Sequence, residues 1–189
     1  MRDGTAMTDA ALADVDRFAA RVRTISWFAA AGEPLLESER TEVERYLERL
    51  GITGMRVAPA RDWIDTERIV RDPHWDRRWW HGEEEVRKAL LARAAKDHEM
   101  GALISALTRV TNEATGTVLG MALIAALRSG TGHQAIAAAA AGAATQACYQ
   151  AALAIAAGTG ETHPFAVKRR LFEAGRWPLA AIEDAFYIL

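Results

Sequence analysis

From Thr8 onward, Leu12, Val15, Phe18, Val22, Ile25 and Ala29 recur every three or four residues. That spacing is one face of an amphipathic helix. Thr8 suits its N-cap, and Gly32 and Pro34 predict its end. A second stripe, Leu36, Val43, Tyr46, Leu47 and Leu50, predicts a helix over about 35–50 closed by Gly51. Its other face mixes glutamates with arginines, from Glu37 to Arg49, as a solvated surface does. Together the two stripes predict an antiparallel helical hairpin.

The pattern breaks after Gly51. Gly54 and Pro59 mark a loop in which Met55, Arg56 and Val57 are the one extended piece. A short helix from about Ala60 to Val70 would bury Trp63, Ile64 and Val70. Asp72-Pro73 reads as the N-cap and first turn of another, which carries Trp75, Trp79 and Trp80 and is interrupted at Gly82. Glu83-Glu84-Glu85 suits a fresh helix start, where carboxylates meet the positive end of the dipole.

A long apolar helix is predicted over 102–128, and a second over 135–157. Residues 129–160 contain no Asp, Glu, Lys or Arg, and alanine dominates them. A helix in water needs a polar face, and only Gln134, Thr145, Gln146 and Gln150 offer one here. This helix is therefore expected to be buried and closely packed. A last helix follows over Phe165 to Ala174. The apolar tail ending Phe186-Tyr187-Ile188-Leu189 is expected to dock onto the body.

The chain thus predicts an all-α fold, a single-domain multi-helix bundle around a central alanine-rich helix. Its parts are an N-terminal hairpin (8–50), a linker with a tryptophan-rich corner (51–82), an apolar helical core (83–160), and a C-terminal helix and tail (161–189). At 189 residues the chain is long enough for a sizeable core. A net charge of −2 gives no electrostatic reason to expect nucleic acid. The single cysteine, Cys148, excludes an intramolecular disulfide and a cysteine-built zinc site. With no apolar signal core in residues 1–7, a cytoplasmic setting is expected. Residues 135–157 are uncharged over a bilayer-crossing length. Alanine drives insertion poorly, however, and Gln146 and Gln150 oppose it, so no membrane partner is expected.

Two places could carry a function. The first is the run Asp72 to His81, where Trp75, Arg78, Trp79 and Trp80 are of the types enriched at binding hot spots. The second is the polar set inside the apolar half. Arg109 and Glu113 are four apart and can pair on one helix. Glu113 or Asn112 could face Gln146 across a buried interface, and these four residues could line a small-ligand pocket. Buried carboxylates titrate abnormally unless paired, and such groups cluster at functional sites.

Little else suggests chemistry. The histidines His74, His81 and His98 lack metal-ligand spacing with their neighbouring carboxylates, so no metal or other cofactor is expected. The Ser129-to-His133 turn precedes a helix but lacks the Lys-Ser/Thr ending of a phosphate loop. None of the four serines stands in a nucleophile elbow. The expectation is a non-catalytic protein-interaction module, binding another protein or a second copy as a homodimer. The alternative is a small-molecule-binding protein or enzyme with its pocket between the two apolar helices.

Overall fold

The computed structural model describes residues 3–129 and 134–189. Among these residues run α1 (Asp3–Arg21), α2 (Glu37–Arg49), β1 (Arg56–Pro59), α3 (Trp63–Val70), α4 (Arg77–Asp97), α5 (Met100–Arg128), α6 (Gln134–Ala156), α7 (Pro164–Glu173), β2 (Pro178–Ile182) and β3 (Ala185–Ile188). The seven helices pack into one mostly helical domain.

The three strands correct the all-α expectation. They form one sheet in the order β1-β3-β2, with β1 and β3 parallel and β2 and β3 antiparallel. Leu179, Ala180, Ala181, Phe186 and Ile188 are all buried. A short apolar run buried on both faces has no period-2 signature, so the pattern could not distinguish strand from helix. Glu183 and Asp184 make the hairpin turn, with Glu183 at φ 55°. The tail does dock: Leu189 and Trp177 exchange backbone hydrogen bonds at 2.8 and 2.9 Å.

The N-terminal hairpin is also corrected. α1 begins at Asp3, not at a Thr8 cap, and ends at Arg21. A 3-10 turn over Val22–Thr24 and a loop follow. α1 packs on α5 and α6, whereas α2 packs on α7 and β1. The cause is an aromatic cluster. Trp27 and Phe28 both lie against Phe172, and Phe28 also meets Trp63 and Trp177 edge-on. Burying these rings outweighs continuing a helical period, and Phe28 adopts φ 59° to achieve it.

Two further corrections concern 60–85. Ile64 is 63% exposed instead of buried. The N-cap of α4 is Asp76, whose carboxylate accepts from the Arg78 N–H at 2.9 Å, and not Asp72. α4 then runs unbroken through Gly82 and the three glutamates. Gly82 marks a close crossing, because a Cβ there would lie 3.3 Å from the Leu50 carbonyl oxygen.

Arg176 ties the 30–34 loop to the C-terminal half. It is buried, donates to the carbonyls of Ala30, Glu33 and Pro34, and forms a two-pronged pair with Glu39. Burial pushes the Glu39 carboxyl up, but Arg176 and the Leu36 N–H together outweigh it and hold the group below its ordinary value. Glu42, beneath Arg170 and Arg45, is likewise lowered against its burial. A carboxyl lowered by folding adds stability that is complete above its unfolded value and lost as pH falls through the folded one. Urea midpoints should therefore hold near neutrality and drop below about pH 4.5. Glu39→Gln should shallow that drop; an unchanged acid limb in the variant would count against the Arg176–Glu39 contribution.

α6 contacts α1, α3, α4, α5 and α7. Ala137, Ala140, Ala144 and Ala152 have no exposed surface. Ala140→Leu or Ala144→Leu should cost about 1–3 kcal/mol through overpacking. Thermal melts of both variants that overlay the parent's would show these sites are not closely packed. Among the described residues α5, not the 135–157 stretch, is long and apolar enough to cross a bilayer by length and composition, and 28% of its most apolar stretch is buried. Ile104, Leu119, Ile124 and Leu127 on α5 are exposed.

Candidate functional site: a tryptophan cleft over a buried ion pair

α7 presents its apolar stripe inward through Phe165, Leu171 and Phe172, and Lys168 stands in the middle of it. A lysine buried there needs an acidic partner. α4 supplies Glu83, whose Oε1 accepts from Lys168 Nζ at 2.5 Å. Both residues are about one-twentieth exposed, Glu83 at 5% and Lys168 at 6%. α6 adds Gln150, which accepts from Lys168 Nζ at 3.0 Å and donates to Glu83 Oε2 at 3.2 Å. From α2, the Tyr46 hydroxyl donates to Glu83 Oε1 and accepts from the Trp79 indole N–H at 2.6 Å. Burial and the adjacent Glu83 charge push the Tyr46 phenol well above its usual range, so it stays a donor. The Trp79 ring lies under Lys168 Nζ, 5.8 Å from its centroid, and meets Phe186 edge-on at 5.2 Å.

A cleft of about 260 Å³ opens above this network. Trp75, Trp79, Trp80, Phe172 and Trp177 contribute aromatic surface, while Ala139 and Ala143 leave room along α6. Ala139, Ala143, Gln146 and Gln150 are spaced four, three and four apart, one helix face running down to the ion pair. The polar groups lining the cleft are Glu83, Lys168 and Gln146. Trp75 is 43% exposed and Trp80 57%. Trp75 is held by a bridge to Ile182 ahead of α4, so it is not on the helix that carries Trp79, although a spacing of four would put both on one helix face. Arg78 is engaged with its own N-cap, Asp76, at 2.5–3.1 Å and does not line the cleft.

The four polar residues expected to share one pocket do not: Arg109 and Glu113 line a surface hollow with Asp16 and Arg23, whereas Asn112 and Gln146 lie at two other places. Glu113 pairs with Arg23, its Oε1 at 2.7 Å, and Arg109 pairs with Asp16 at 2.7 Å, so the expected Arg109–Glu113 pair does not form. Both α5 side chains turn toward α1 and the 3-10 turn, where opposite charges await them. The Arg23 contact holds Glu113 below its ordinary value. Asn112 is exposed near Tyr149 and Ile104. Gln146 lies in the tryptophan cleft.

The remaining candidates sit apart. His74 contacts Asp72. His98 is buried with Nε2 2.7 Å from the Ala156 carbonyl. Cys148 is buried, and its thiol is pushed up to about 12, mainly by burial. The Ser129-to-His133 turn lies outside the described residues from Gly130 on. Among the described residues no three His, Cys, Asp or Glu side chains converge.

The polar groups of the cleft floor are engaged with one another. Both Glu83 oxygens accept hydrogen bonds, Lys168 commits two of its three donors, and Tyr46 is a phenol held by two partners. None of them is a free base. No family model, curated protein or solved structure matches this chain.

Proposed function

We propose that this chain binds a small molecule, without transforming it, in the tryptophan cleft. The observation that carries the reading is a concave aromatic cleft into which a few polar groups converge, the usual composition of a ligand pocket. It keeps the small-molecule alternative drawn from the sequence but moves it from the α5–α6 interface to the α4–α6–α7 corner. We further read α6 as the architectural centre of the domain, since five helices touch it.

The test is a thermal-shift screen of the protein against small aromatic compounds. At least one should raise the Tm, and Trp80→Ala should abolish that gain. The Tm of unliganded Trp80→Ala should stay near the parent's, because exposed side chains are usually worth under about 0.5 kcal/mol. A screen without a single Trp80-dependent shift would reject the reading.

A second reading, a protein-interaction module or homodimer, is favoured by one observation. Trp75 and Trp80 are exposed at the corner, and Ile104, Leu119, Ile124 and Leu127 are exposed on α5. Under it Trp75, Arg78, Trp79 and Trp80 would meet another protein. Native mass spectrometry separates the two, a dimer or a bound protein supporting the second and a bound small molecule the first.

A further inference from the structure

We propose that the tryptophan cleft takes an uncharged planar ring carrying a carboxamide or lactam group. The inference rests on the small-molecule reading above and names the ligand's chemistry.

Size comes first. A volume of about 260 Å³ holds roughly a dozen non-hydrogen atoms at liquid-to-crystal packing. Shape follows from the walls, since Trp75, Trp79 and Trp80 with Phe172 and Trp177 offer ring faces and edges that suit a flat aromatic partner.

Charge decides between the classes of flat molecule. Glu83 and Lys168 neutralise each other at 2.5 Å. An anionic ligand would bring a second negative charge beside Glu83. A cationic one would compete with Lys168 for Glu83 and for the face of Trp79, which that ammonium already covers. A neutral ligand meets neither penalty.

Hydrogen bonding then fixes the polar group. Lys168 has a third N–H with no acceptor among the described residues. Gln146, one turn above Gln150 on the same face, has no hydrogen-bond partner among the described residues and offers both a donor and an acceptor. One remaining ammonium donor and one amide lining the same cleft match a carbonyl with an adjacent N–H, the pattern of a primary carboxamide or a ring lactam.

The test is titration of the full chain by isothermal calorimetry with benzamide, uracil, benzoate and tetramethylammonium. Benzamide or uracil should bind at least about tenfold more tightly than either ion, as expected for one well-made hydrogen bond plus avoided like charge. The tighter of the two tells a primary carboxamide from a lactam. Gln146→Leu, at an exposed position, should weaken that probe several-fold and leave benzoate unchanged. Benzoate or tetramethylammonium binding as tightly as the neutral probes, with sensitivity to Trp80→Ala, overturns the ligand class and leaves the cleft reading standing. Binding insensitive to both Gln146→Leu and Trp80→Ala overturns both, and no binding by any of the four probes overturns the ligand class, the cleft reading then resting on the thermal-shift screen.

Discussion

Lys168→Met lowers the unfolding free energy by about 3–5 kcal/mol, the range for removing one partner of a buried ion pair. Methionine fills most of the lysine's volume, so the loss is electrostatic and not a cavity. Glu83 keeps the Tyr46 and Gln150 donors but is left as a carboxylate 5% exposed with no countercharge. Glu83→Gln should be comparably costly, stranding the ammonium. The double variant Glu83→Gln/Lys168→Met should recover a large part of the sum, because a pair of neutral side chains carries no desolvated charge. Urea denaturation of the four proteins closes the cycle. A coupling near zero would mean that the two charges do not depend on each other.

Gly175→Ala is the second large effect. Gly175 has φ 83°, a region that costs an L side chain about 1–2 kcal/mol. A Cβ there would also stand 2.6 Å from the Ala30 nitrogen and 2.9 Å from that of Ala29. Those atoms are backbone and cannot rotate away. Neighbouring Arg176 holds the same loop through three carbonyls, so any shift is resisted. Adding an overpacking cost of about 1–3 kcal/mol gives a total of about 2–5 kcal/mol. Gly54→Ala is the control. Gly54 has φ 79° but nothing within 4 Å of its would-be Cβ, so it should show the backbone part alone. Equal losses at the two positions would remove the steric argument.

The long helices were legible because each carries a stripe or a composition that only one environment satisfies. α2 and α5–α7 fall within a few residues of their expected bounds. Local pattern failed where distant residues decided the outcome. Trp27 and Phe28 leave the helical period to meet Phe172 and Trp177, from the far end of the chain. β2 and β3 are apolar on both faces and so carry no alternation. The tryptophan corner stood out in the sequence, but the floor beneath it did not. In the sequence Glu83 is one of three consecutive glutamates at a helix start, and Lys168 is one of three consecutive basic residues with Arg169 and Arg170. Its position between Phe165 and Phe172 on an inward stripe was the available signal. The choice of partner among many acids was not, since α4 and α7 are joined only by folding.

The sheet order has a consequence for folding speed. Its middle strand, β3, pairs with β1 across about 130 residues of intervening chain. Closing so long a loop costs entropy before any ladder bond repays it. Contacts within each helix are local, and forming them shortens that loop. The β1–β3 seam should therefore form late, and a substitution that weakens it should raise the unfolding rate more than it lowers the folding rate in stopped-flow denaturant kinetics.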